Sequence, residues 1–388
     1  AVLCYDLVSA DAVGVATDKV AVAGALTLNG TNTVVLSFPN GVAPAGTYTL
    51  MTFGSKAGTG LFQLAAPYAN ATLTTGANSL TLTVVGSAYA TTWTGAESTS
   101  WDGSDLNWTN GSAAVAYTPG DAVVFDDTAS QFTVAGASPV APASTVFNNS
   151  ANAYTVSAVI DGTGTVYKLG SGTVTLTGNN VYTGQTSILN GTLRLGGAGL
   201  LGGGVYATNL IVNGEFAYAS SAAQTNSGVI SGGGNLTQFG PGLLTLSGNN
   251  TFVGLTTVTT GVLRAQHANA LGSTAQGTVV APGGTLEFAG GLVTASEAVN
   301  LYGTLSSAVG SNTVSGIVSL QHGATLHAAA NATLVLSAST PNIGSNVVTK
   351  TGPGTLRFTA DPNQTGMFVI DEGAAEFQHS GSTDMNLI

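Results

Sequence analysis

The sequence predicts an all-β solenoid, a stack of short parallel strands, and three observations carry that expectation. The chain of 388 residues holds 54 Gly and only 6% charged residues, where a globular enzyme has about 25%. Its apolar residues alternate with Thr and Ser at a period of two, as in Thr173-Val174-Thr175-Leu176-Thr177 and Ser79-Leu80-Thr81-Leu82-Thr83. A segment from Leu169, LGSGTVTLTGNNVYTGQTSILNGTLRL, returns from Phe239 as FGPGLLTLSGNNTFVGLTTVTTGVLRA. A third, more worn copy starts at Thr351, where Gly352, Gly354, Phe358, Gly366 and Gly373 keep the frame, Asp361-Pro362 replaces the Asn pair and Glu376 replaces the arginine.

Residues 1–87 are expected to form a strand-rich solenoid unit, since Ala25-Leu26-Thr27-Leu28-Asn29-Gly30 alternates and ends on a turn pair. Residues 88–160 change character: Trp93, Trp101 and Trp108 fall there with Asp102, Asp105, Asp121, Asp126 and Asp127. Residues 161–388 carry the three repeats; a strand, a Gly-Asn-Asn corner (lost in the third copy), a second strand and an Asn-Gly corner are expected to make one coil. Gly and Asn are expected at the corners because they accept positive φ at little steric cost. Leu176, Leu193, Leu195, Leu246, Leu263, Leu334, Leu336 and Leu356 stand in phase with an alternating strand and are expected to point inward. The spacing of the first two copies fits three coils of ~23 residues, an integer the sequence leaves free. A hairpin-linked sandwich would account for the alternation but not for the Gly-anchored repeat.

Charge excludes one class of partner. Seven Lys+Arg against 18 Asp+Glu give a net charge of −11, so no basic stripe exists to neutralise nucleic-acid phosphates. No run approaches the ~18 apolar residues of a membrane helix. Cys4 has no partner for an intrachain disulfide and is expected as a partly buried strand cysteine. Neither Val2-Leu3-Cys4-Tyr5-Asp6 nor Met385-Asn386-Leu387-Ile388 reads as a polar cap, so the ends either join further repeats or meet other subunits.

Chemistry is sparse. No G-x-S-x-G elbow is present, and none of His267, His322, His327 and His379 neighbours a nucleophile in sequence. Gly197-Ala198-Gly199-Leu200-Leu201-Gly202 spells G-x-G-x-x-G, but no helix follows it. The Asp102–Asp127 cluster has oxygen ligands for Ca²⁺, yet turn hydrogen bonds explain the same residues. The three Trp offer either a sugar-stacking platform or an apolar seal on one side of the stack, and the seal is the expectation. No catalytic, cofactor-binding or metal-binding residue is assigned.

The pattern G-x-G-x-L-x-L-x-G-N-N-x-Y/F-x-G followed by a G-x-L strand resembles the autotransporter-associated β-strand repeat of large secreted Gram-negative passengers. It is read at Gly170 to Leu195, Gly240 to Arg264 and, degenerately, Gly352 to Phe377. Thr92 to Asp127 is similar to the module that often precedes such repeats, and residues 18–53 to the unit that often closes them. The resemblance implies a right-handed parallel β-helix at the cell surface and no particular activity. The functional expectation is a structural component of an extracellular fibre or surface layer, needing no cofactor and partnered by head-to-tail copies of itself. A surface adhesin binding glycan or host protein is the alternative, ahead of an ice-binding solenoid or a polysaccharide-degrading enzyme.

Overall fold

A computed structural model describes residues 2–7, 19–37, 42–43, 46–64, 71–84, 88–89, 91–294, 296–338, 346–359, 366–378 and 386–387. Among these the chain is strand and turn throughout, apart from a single 3₁₀ turn at Gly202–Gly204. Among the described residues no helix is long and apolar enough to cross a membrane.

From Ala122 onward, strands of successive coils pair in parallel and build a β-solenoid. A first face stacks Ala122–Asp126, Ser144–Asn148, Thr165–Lys168, Thr186–Ile188, Leu210–Val212 and Ile230–Ser231. A second stacks Thr133–Val134, Tyr154–Val156, Thr173–Leu176, Thr192–Leu195, Glu215–Tyr218 and Asn235–Gln238. The third runs through Gln224–Asn226 and Leu243–Leu246 to Thr304–Val309, Thr325–Ala328, Val347–Thr351 and Met367–Ile370. Thr256–Ala265 and Thr278–Ala289 are long enough to serve the second and third faces without a break. A last ladder, Ser311–Val314, Thr333–Leu336, Thr355–Phe358 and Ala374–Phe377, follows the third face in chain order.

Side chains alternate across each strand, so a stack of alternating strands must line a narrow interior. All eight leucines expected inside are buried, and one continuous apolar core runs from Trp93 to Phe368.

Coil length is uneven. Thr173 pairs with Thr192, Thr192 with Glu215 and Glu215 with Asn235, so the third coil closes at Asn235, ahead of Leu243. Leu243, the counterpart of Thr173 in the second copy, therefore lies on the third face and pairs with Val262. Five coils later the third copy's counterpart, Thr355, has moved on again to the ladder of Thr333. The repeat spacing is thus a whole number of coils plus one face, and each copy opens one face further round the stack.

The first unit, ending at Val84, builds on a larger coil. Val2–Asp6, Thr31–Ser37 and Leu61–Leu64 pair in parallel, with Val2 opposite Thr33 and Thr31 opposite Leu61. Each of these steps is longer than the step from Thr192 to Glu215 in the solenoid. Val20–Thr27 pairs in parallel with Gly46–Ala57, and an antiparallel set, Gly46–Ala57, Ser79–Val84 and Ala71–Thr75, closes the unit. Its core of Tyr5, Leu36, Tyr48, Leu50, Leu80 and Leu82 is walled by the outward side chains Ala122 and Val124 of the first face. Val35 packs on Val146 and Tyr167. This unit therefore lies against the side of the solenoid. Cys4 is on the strand Val2–Asp6, opposite Val35.

Candidate functional site

The repeat corners hold the densest polar chemistry. The residue two places before each G-x-G is Lys168, Gln238 or Lys350, and all three are fully buried. Lys168 Nζ donates to the Gly170 carbonyl and, at 3.4 Å, to that of Asn149. Gln238 Nε2 donates to Gly240 and Gly242, both at 2.9 Å. Lys350 Nζ donates to Thr351, Gly352 and Glu372 at 2.8, 2.7 and 3.0 Å. Burial lowers the Lys168 ammonium to about 8 against the opposing pull of Asp127, and lowers Lys350 against that of Glu372. These lysines neutralise corner carbonyls and have no open face toward a substrate. Sequence reasoning missed them, although KLGSG, QFGPG and KTGPG align once the repeat is extended upstream.

The Gly-Asn-Asn corner has a different basis from the one expected. Asn331 is the one described non-glycine residue at positive φ, so neither Asn of the pair needs that conformation. Asn180 instead joins three coils: its Oδ1 accepts the Ile160 N–H at 3.0 Å, and its Nδ2 donates to Gly178 at 2.9 Å and Leu200 at 3.1 Å. Asn250 accepts from Ile230 and donates to Ala270 in the same way. Gly178, Gly184 and Gly254 are not at positive φ either; a Cβ there would collide with a backbone carbonyl of the preceding coil.

The Trp residues seal the start of the stack. Thr91–Trp93 pairs antiparallel with Trp108–Thr109, which pairs antiparallel with Ala114–Val115, so a short hairpin covers the edge of the first face. Trp93, Trp101 and Trp108 are wholly buried around Phe125, with Trp101 and Phe125 centroids 5.1 Å apart. They present no ring face to a sugar. Asn107, also unremarked in the sequence, holds the hairpin by accepting from Glu97 and Ser98 N–H and donating to Ser98 Oγ and the Ser100 carbonyl.

Each cluster aspartate has a hydrogen-bonding role. Asp102 accepts from Ser104 and Asp105 N–H, Asp105 from Ser98 Oγ, Asp121 from Thr118 N–H and Asp126 from Thr128. Asp127 accepts the N–H groups of Ser150, Ala151 and Asn152; burial would raise its carboxyl, but these three bonds outweigh it and hold it low. Among the described residues no three His, Cys, Asp or Glu side chains converge. His322 stands in the turn before the strand that carries His327, whose ring meets Thr351 Oγ1, and His379 lies outside the described residues.

The outer faces are rich in hydroxyls and sparse in charge. On the second face Thr155, Thr175, Arg194, Ala217, Thr237 and Thr257 stand in one column, outward apart from the buried Ala217. On the third, Thr285, Thr304, Thr325 and Thr349 do the same, beside a mixed column of Glu287, Ser306, His327 and Thr351. Every Lys and Arg among the described residues of the solenoid is buried, paired or stacked, though Arg194 Nε has no hydrogen-bond partner. Lys168 and Lys350 are buried, Arg264 pairs with Glu287 at 2.5 Å, Arg357 with Glu376 at 2.7 Å, and Arg194 lies 4.6 Å over Phe239.

Known proteins place this corner chemistry. The model of the passenger-associated-transport-repeat matches residues 166–195, 236–265 and 348–374, each beginning just upstream of a Lys or Gln corner. The chain carries passenger-associated-transport repeats. It is also 34% identical over 118 residues to "Adhesin BmaC autotransporter" of Brucella suis biovar 1 (strain 1330), a match covering 29% of this chain and 3% of that protein. No solved structure matches. The passenger repeat thus spans two successive coils, with its first strand pair stacked under its second.

Proposed function

We propose that this chain is part of a surface-exposed or secreted passenger of a Gram-negative bacterium, with an adhesin-type role and no catalytic activity. The supporting observation is that three passenger repeats share one continuous core while their outward columns are rich in threonine, with few charged residues among them. Such a surface suits a polar, uncharged partner such as a glycan or a protein loop, and the paired or buried cations offer no basic group or anion clamp to a polysaccharide-cleaving site. In this reading residues 1–87 are a lateral unit, 88–160 the Trp-sealed start and 161–388 the repeat-bearing rod. An ice-binding role is disfavoured by Glu287 and His327 beside the third-face threonines. The test is adhesion of beads coated with the full chain to host cells. Thr175→Glu with Thr237→Glu should reduce adhesion several-fold, and unchanged adhesion by a folded variant would overturn the role of that face.

A second reading, self-association into a fibre or surface layer, is favoured by two edge strands, Asn386–Leu387 on the third face and Val2–Asp6 on the lateral unit. An edge strand presents N–H and C=O groups that another strand satisfies cooperatively. Leu3→Lys with Leu387→Lys should turn assemblies into monomers on a sizing column. A native chain that stays monomeric at high concentration excludes the fibre.

A further inference from the structure

A cavity of about 300 Å³ opens beside the Trp seal, lined by the apolar surfaces of Tyr117, Pro119, Pro139 and Val140 together with Asp102 and Ser138. That volume is at the small end of ligand pockets, enough for one side chain. We propose that this cavity receives a lysine or arginine side chain from a basic segment of the partner protein. The proposal rests on the adhesin-type reading and adds a second contact to it, a basic segment of a protein partner at this cavity beside the uncharged contact at the threonine face.

Three observations select that occupant. The lining is mostly apolar with a single carboxylate, the complement of a side chain that buries an aliphatic stem and keeps a cationic head hydrated or paired. Asp102 is held ionised by the N–H groups of Asp105 and Ser104, so the charge is fixed before a ligand arrives. Residues 88–160 contain six Asp or Glu and no Lys, Arg or His, a field that draws cations toward this end of the stack. Other ligand classes fit less well. An anion meets that field, a wholly apolar ligand would strip water from Asp102 without replacing it, and a sugar's several hydroxyls would find few polar side chains besides Asp102 and Ser138 in the lining.

The experiment titrates the full chain with a hexalysine peptide and with its fully acetylated form, following amide shifts by NMR and heat by calorimetry. Shifts should centre on Trp101, Asp102, Tyr117 and Val140, and acetylation should abolish binding. Asp102→Asn keeps an oxygen for the Ser104 and Asp105 N–H groups and should weaken binding at least tenfold. Ser138→Leu fills the cavity without changing charge and should do the same; Ala137→Leu serves if that variant melts early. Asp371→Asn, an exposed charge at the far end of the stack, should leave binding unchanged. Equal binding of the acetylated peptide, equal loss in Asp371→Asn and Asp102→Asn, or native affinity in both cavity-filling variants would overturn the proposal. So would displacement by choline but not by lysine amide. The readout is a purified pair in solution, so its failure leaves the cell-adhesion test of the threonine face standing.

Discussion

The corners filled by Lys168 and by Gln238 are one place in two copies of the same repeat, and they meet the same need with different charge. Both side chains are buried, and both donate to carbonyls of the glycine corner that follows. The amide does so as a neutral group, whereas burial drags the ammonium down to about 8. The comparison teaches that the corner requires a donor and that a positive charge is incidental. Orphaned buried carbonyls are what the repeat avoids.

The largest effect is expected where one side chain serves three coils. Asn180→Ala orphans the Ile160 N–H and removes the side-chain donor from the Gly178 and Leu200 carbonyls, which keep the backbone N–H of residue 180. At roughly 1–3 kcal/mol for the orphaned N–H and about 0.5–1.5 kcal/mol for each further bond lost, it should destabilise by about 3 kcal/mol in urea unfolding. Next comes the corner itself. Lys168→Met should cost about 1–3 kcal/mol, while Lys168→Gln, which copies the second repeat, should stay near native. Equal losses in these two would break the comparison.

Titration sharpens it. The folded Lys168 has its pKa below the ordinary lysine value of 10.5, so between about pH 8 and 10.5 the unfolded chain binds the extra proton and stability rises with pH. Lys168→Gln should flatten that rise, leaving the share of Lys350, whose shift has the same direction. Glu297 titrates the other way. Its buried carboxyl is raised by desolvation, with one oxygen bonded to Thr278 Oγ1 at 2.9 Å and the other without a partner. A raised carboxyl contributes stability that is present below the unfolded pKa and lost as pH rises through the folded one. Glu297→Gln should therefore gain on the order of 1 kcal/mol at pH 7 and nothing at pH 4, read as thermal midpoints. The smallest effect belongs to the half-exposed pair Arg357–Glu376: Arg357→Ala should shift stability by about 0.5 kcal/mol or less, and less again in high salt.

Much of this was legible in the residues. Period-two alternation put all eight chosen leucines inside, because a strand has only two faces to choose between. The Trp cluster was legible as buried, but it seals the start of the stack and not one side of it, because the hairpin through Trp108 covers the edge of the first face. The face on which each copy opens was not. The interval between copies constrains only the sum of coils and corners. A short coil from Thr173 to Thr192 followed by a longer one from Thr192 to Glu215 satisfies it as readily as even coils do. The asymmetry of Lys168, buried although charged, was hidden for a similar reason. Its acceptors are backbone carbonyls supplied by the fold, and no side-chain partner marks them in the sequence. The cavity beside Asp102 likewise depends on Pro139 and Val140 arriving from a neighbouring coil.

This repeat uses its glycines for close contact between coils as well as for turn conformation, and two adjacent glycines separate these roles. Gly233 and Gly234 both lack positive φ, yet a Cβ on Gly233 meets open space, while one on Gly234 would overlap the Gly214 carbonyl of the coil before. Urea unfolding of Gly233→Ala and Gly234→Ala should separate them. Gly233→Ala should stay within about 0.5 kcal/mol of native or gain slightly, and Gly234→Ala should lose several times that or fail to fold. Equal stability of the two variants would contradict the account.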